Sequence, residues 1–126
     1  MSTESSSSNN GKTIAIISYI TLIGWIIALI MHMGNKTKLG AFHVRQMLGF
    51  MICGIIFQIV VVVLSIILAA IGSALLAKIF GIIVLIVWIG FLILWVLGLI
   101  AAIKGEEKPM PVIGAKIQSI LGGLFN

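Results

Sequence analysis

From Gln46 to Ala77 no residue carries a charge, 32 positions in a row. Wholly helical, that run would reach about 48 Å. A bilayer hydrocarbon core of about 30 Å needs only about 20 helical residues. The run therefore holds one span and some excess, and Gly72-Ser73 is the natural break. Its Ile59–Val63 segment, all β-branched, would favour a strand in water. In lipid an open strand leaves its backbone groups unpaired, so helix is expected.

Composition agrees. The chain is 61% hydrophobic and only 9% charged, against about 45–50% and about 25% for ordinary soluble domains. A chain this short buries only about two-thirds of its surface on folding. Much of its apolar surface would face water, which soluble monomers do not tolerate in large patches. The expected fold class is an all-α integral membrane protein: a bundle of about three transmembrane helices in a single domain, with a short C-terminal amphipathic helix in the interface. The spans fall at about 13–33, 47–71 and 79–103.

The first ten residues, MSTESSSSNN, are polar and carry Glu4 where a secretory signal would carry basic residues. Residues 1–11 read as a disordered tail, because they cannot bury enough apolar surface to offset ordering entropy. In the first span Ser18 and Thr21 are mild interruptions that can bond back to the helix. Gly24 and Ala28, four apart, let another helix approach closely. Tyr19 and Trp25 sit too deep for an interfacial belt and are expected to face a neighbouring helix.

The connecting stretch after the first span holds Lys36, Lys38, His43 and Arg45 with no acid. In the third span Gly90, Gly98 and Ala102 form a small-residue stripe, a helix-packing face. Trp88 and Trp95, seven apart, share a face near mid-span. Pro109 and Pro111 then stop the helix. Beyond them Val112, Ile113, Ile117, Ile120, Leu121 and Leu124 recur at helical spacing with Lys116, Gln118 and Ser119 largely opposite. That pattern predicts an amphipathic helix at about 112–122 lying in the membrane interface.

With three spans, Lys12 and Lys78 share one side, and Lys36, Lys38, Arg45, Lys104, Lys108 and Lys116 share the other. Basic residues mark the cytoplasmic side. The expected location is a bacterial inner (cytoplasmic) membrane, multi-pass, with the N-terminus outside and the C-terminus cytoplasmic. A re-entrant pair hidden in the 46–77 run would change that parity.

The loop AFHVRQMLGF and the tail KGEEKPMPVIG, read together, resemble a family of small bacterial membrane proteins similar to the chloroplast inner-envelope protein-import component. The resemblance rests on Phe42-His43-x-Arg45-Gln46 at a helix mouth and the Lys108-Pro109-x-Pro111 closure. It covers about residues 13–118. It implies a multi-span helical protein without a cofactor, and possible service in protein translocation. The plant relatives are usually drawn with four spans, one more than this chain shows.

The most informative side chains are His43, Arg45 and Gln46. His43 and Gln46 are three apart and share a helix face. The trio reads as a structural clamp, and Arg45 can grip a lipid phosphate or a partner's carboxylate, or simply lie along the interface as a routine basic residue. His32 and His43 fall near one membrane face. Two histidines without nearby Cys, Asp or Glu do not make a metal site, which takes three or four ligands. Cys53, the one cysteine, permits no intrachain disulfide and is expected to pack. Gln58 and Ser65 share a face of the second span. A mid-span Gln bonds across a helix interface or lines a water-filled path.

No Asp or Glu lies between Lys12 and Lys104. A proton-coupled pump would place an ionisable group in the membrane. No nucleophile–base pair, phosphate loop or cofactor motif is visible. The net charge of +5 is not arranged as a basic stripe with interleaved aromatics, so nucleic acid is not an indicated partner. The expectation is a non-enzymatic accessory or assembly subunit. Its partners would be lipids and other integral membrane proteins, or further copies of itself. The alternative is a homo-oligomeric, holin-like pore lined by Gln58 and Ser65.

Overall fold

The computed structural model describes residues 3–20 and 22–126, with side chains placed from Asn10 onward except at Thr21. Five helices are present among the described residues: α1 (Thr3–Ile17), α2 (Leu22–Gly34), α3 (Lys38–Ile71), α4 (Ala74–Lys104) and α5 (Gly114–Leu121). Only α3 and α4 are long and apolar enough to cross a membrane.

The α3–α4 pair is a plain helical hairpin. Thr37 caps α3, its hydroxyl accepting from the Gly40 N–H at 2.9 Å. Ser73 caps α4 in the same way through the Leu76 N–H. Between them Gly72 takes a left-handed conformation, φ 76°, which costs a glycine nothing. Phe50, Phe57, Trp88 and Phe91 form an edge-to-face and tilted aromatic cluster that ties the two helices together.

The expected first span does not exist as one helix. Residues 13–33 contain a break at Ser18–Ile20, and α1 and α2 run back along each other. A Cβ on Gly11, in α1, would lie 2.5 Å from Thr37 Oγ1, beyond the end of α2. The middle of α1 thus lies beside the chain that follows α2, and the pair forms a helical hairpin.

The chemistry of the break is local. The Ser18 hydroxyl donates to the Ala15 carbonyl at 2.7 Å, the acceptor that an α-helix would offer to the Tyr19 N–H. That N–H bonds to Ile16 O instead, and the Ile20 N–H to Ile17 O. The last turn tightens to 3₁₀ geometry and the helix ends. The freed Tyr19 carbonyl accepts from the Trp95 indole at 2.6 Å. Away from water such a carbonyl must find a protein donor. Trp95→Phe should therefore cost about 1–2 kcal/mol, read as a lower unfolding midpoint in detergent.

Residues 3–11, expected to be disordered, belong to α1; Met1 and Ser2 lie outside the described residues. The apolar turns that follow are anchored on α3 and α4, and a nucleated helix propagates outward at little cost.

The tail after α4 also turns inward. Gly105, φ 71°, caps α4, and residues 106–113 descend along α3 and α4 until Met110 reaches Gly98 and Val112–Ile113 reach the groove beside Leu94. Val112 stands at the bottom of this dip, 94% exposed with φ 74°. A β-branched residue is strained there. Val112→Gly is expected to raise stability by about 1 kcal/mol, measured by the same unfolding assay. From that turn α5 runs back along α3. It is not a helix lying alone in an interface: Ile117 is buried against Gly49, where a Cβ would lie 2.5 Å from it.

Among the described residues, every buried one lies in 11–49 or 98–117. Between Phe50 and Leu97 none is buried; the α1–α2 hairpin and the tail border the near part of this stretch, as far as Gln58 and Val87, and beyond it α3 and α4 stand alone. Its outward side chains are mostly Ile, Leu and Val, a surface suited to hydrocarbon and not to water. The packed half, which carries most of the cations, is the basic end; the bare half is the distal end.

Candidate functional site

At the basic end the α1–α2 hairpin delivers Tyr19, fully buried, to the face of α3 that carries His43 and Gln46. The Glu106 carbonyl lies 2.8 Å from His43 Nε2. A carbonyl only accepts, so Nε2 carries the proton and Nδ1 is left as the acceptor. The Tyr19 hydroxyl, 2.7 Å from Nδ1, donates to it. Gln46 Nε2 then donates to the Tyr19 oxygen at 2.7 Å, and Gln46 Oε1 accepts from the Met110 N–H at 2.8 Å. Three elements are joined in one directional chain: the α1–α2 turn, α3 and the tail after α4. Every donor in it has one acceptor.

Arg45 points elsewhere. It is 9% exposed, and its guanidinium bonds Gln118 Oε1 at 2.9 Å, the Leu124 carbonyl at 3.2 Å and Asn126 Oδ1 at 2.7 Å. Gln118 returns a bond to the Phe42 carbonyl. The contacts expected with a lipid phosphate or a partner's carboxylate are replaced by neutral oxygens of this chain's own tail. The tail completes itself by docking Phe125 edge-on to Trp25, with centroids 6.1 Å apart, and by bonding its carbonyl to His32 Nε2. Lys36 reaches the Asn126 carbonyl.

The trio His43, Arg45 and Gln46 is thus split between two tasks. His43 and Gln46 lock the hairpin and the dip, and Arg45 locks α5 and the residues after it. Both ring nitrogens of His43 are engaged, and among the described residues no cluster of His, Cys, Asp and Glu could hold a metal. His32 Nδ1 is a buried polar atom without a partner.

The small residues also divide. Gly24 and Ala28 are buried, and Ala28 packs with Ile14 and Val44. Gly98 lies against Tyr19 and Met110, and Ala102 shares a cluster with Ala15, Tyr19, Met47 and Met110. A Cβ on Gly90 would meet nothing within 4 Å; this glycine floors an open groove with Cys53 and Ile113. Gln58 and Ser65 are exposed, Ser65 on the side of α3 that faces α4. Each lies in a groove whose other side chains are apolar, which is no lining for a water-filled path.

Two residues were not singled out as site residues from the sequence: Tyr19, centre of the network, and Trp95, which closes the turn. The usable signal was the depth of a tyrosine whose hydroxyl must find a partner when buried.

Comparison with known proteins corrects the family expectation. The matching family model covers residues 10–117 and is described as the magnetosome magnetite crystal formation protein family, MamF/MmsF. It displaces the resemblance to proteins similar to the chloroplast import component. The Phe42–Gln46 element that carried that resemblance lies within the matched stretch, and the structure uses it as an internal clamp. No curated protein and no solved structure matches. The match takes in both long helices, the α1–α2 hairpin from Asn10 onward and most of the clamp, and the chain belongs to the magnetosome magnetite crystal formation protein family.

Proposed function

We propose that the protein is a non-enzymatic subunit embedded in the magnetosome membrane, acting on crystal formation through the membrane and its neighbours and not by holding mineral. The carrying observation is where the charge lies. Lys12, Lys36, Lys38, Arg45, Lys104, Lys108 and Lys116 belong to the basic end, and Lys78 alone to the distal end. The re-entrant hairpin moves Lys12 to the majority side, sharpening the asymmetry on which the positive-inside rule depends. This reading puts the basic end in the cytoplasm, with α1 entering from that side, in place of an N-terminus outside.

The distal end then faces the compartment that holds the crystal. Its turn offers Ser73 and Lys78. Iron ions are held by carboxylates, imidazoles and thiolates, and the chain's three acids, Glu4, Glu106 and Glu107, are far from that turn in sequence. A surface without ligands does not template a mineral. What it does present is a long apolar α3–α4 arm to lipid and to other membrane helices.

The test is affinity capture in mild detergent from magnetosome-forming cells. Co-recovery of other integral membrane proteins of that membrane, or of further copies of this chain, is the expected result. Recovery only as a free monomer, under conditions that keep known membrane complexes intact, contradicts the proposal.

A further inference from the structure

We infer that this protein is a membrane wedge: it favours bilayers that are convex on the side of its basic end. The inference rests on the orientation just proposed and concerns a different partner, the lipid bilayer itself.

The observation is a mismatch between the two halves of the molecule. In the basic half, α1, α2, the dipping tail and α5 all pack around the first third of α3 and the end of α4. In the distal half, beyond the reach of the hairpin at Gln58 and of the tail at Val87, only α3 and α4 remain, with no buried residue between Phe50 and Leu97. The hairpin stops part-way: α2 has 13 residues, a rise of about 20 Å. Its tip, at Tyr19, lies level with Trp95 and Gly98 of α4. The dipping tail stops near Leu94, at Val112. Two separate segments thus end at one depth, close to the middle of a hydrocarbon core of about 30 Å.

Both tips are shaped for lipid. Ile20, Leu22 and Ile23 are well exposed around the first, and Val112 projects from the second. At the two tips the Tyr19 carbonyl is held by Trp95, and the Pro111 carbonyl by the Ile113 N–H. An apolar, hydrogen-bond-satisfied tip is stable at mid-bilayer depth. The clamp of His43, Gln46 and Tyr19 fixes the wide half as one unit, so it cannot collapse to match the narrow one.

Each helix with its side chains is about 10–12 Å across. The leaflet at the basic end therefore accommodates several helix widths more protein than the other leaflet. A bilayer bending toward the basic end relieves that excess. A closed membrane around a crystal has this curvature when the basic end faces outward.

The experiment uses the full chain labelled at Lys108→Cys in a Cys53→Ala background. It is reconstituted in giant vesicles of phosphatidylcholine and phosphatidylglycerol, from which narrow membrane tubes are drawn. A membrane-impermeant quencher reports which orientation each molecule has. Molecules with the basic end on the outer, convex surface should be enriched in the tubes by about threefold or more, a preference just over one RT. Molecules in the opposite orientation should be depleted. Equal density in tube and flat membrane overturns the inference, and so does enrichment that ignores orientation. Neither result bears on partner capture, so the wedge and the subunit reading fail independently.

Discussion

Gln46→Leu should destabilise the fold by about 2–3 kcal/mol. Leucine is close to glutamine in size, so little packing is lost. What is lost is the bridge. The Met110 N–H is left without its 2.8 Å acceptor, and the Tyr19 oxygen without its 2.7 Å donor. Both residues are buried, so water cannot readily replace the partner. Tyr19→Phe attacks the same chain from the other side, leaving His43 Nδ1 and Gln46 Nε2 unpaired. Because the two variants share one bond, the double variant should cost less than the sum of the singles. Unfolding by denaturant in a fixed detergent measures all three. Wild-type stability of Gln46→Leu would mean that the network does not hold the hairpin.

Gly98→Val and Gly90→Val should differ sharply although both sit on one stripe of α4. A Cβ at Gly98 would lie 2.7 Å from the Tyr19 ring and 2.7 Å from the Met110 methyl. The methionine can move. Tyr19 cannot, because its hydroxyl and its carbonyl are both bonded. Overpacking of about 2–3 kcal/mol is expected, with loosening of the hairpin from α4. At Gly90 nothing lies within 4 Å, and valine there should change stability by no more than about 0.5 kcal/mol. Equal effects would show that the stripe packs as one face, as its spacing alone suggested.

That contrast shows what the residue pattern carries and what it omits. The helical nature of the chain and the positions of α3 and α4 were legible because both depend on long apolar runs with a polar turn between them. The fate of residues 13–33 was not. A largely apolar run of 21 residues is long enough to span, and Ser18 looked like a tolerated interruption. It breaks the helix because its hydroxyl captures Ala15 O while Trp95, 76 positions from Tyr19, takes up the released carbonyl. That second condition is tertiary and has no local signature. The same is true of Arg45. Its position at a helix mouth suggested lipid phosphate, yet Gln118 and Asn126 reach it first. His43 and Gln46 were legible as partners of one face, but the hydroxyl that joins them, that of Tyr19, lies on an element that the sequence placed elsewhere. Charge parity held the one usable hint: moving Lys12 to the basic side leaves Lys78 as the single exception.

The re-entrant hairpin is the claim on which the clamp, the topology and the wedge all depend. It is tested most directly by the sidedness of single cysteines in a Cys53→Ala background, using a membrane-impermeant thiol reagent on sealed vesicles. Lys12→Cys, Lys36→Cys and Lys108→Cys should all react from the same side, and Ser73→Cys only from the other. Labelling of Lys12→Cys from the side opposite Lys36→Cys would restore a first full span and contradict the structure described here.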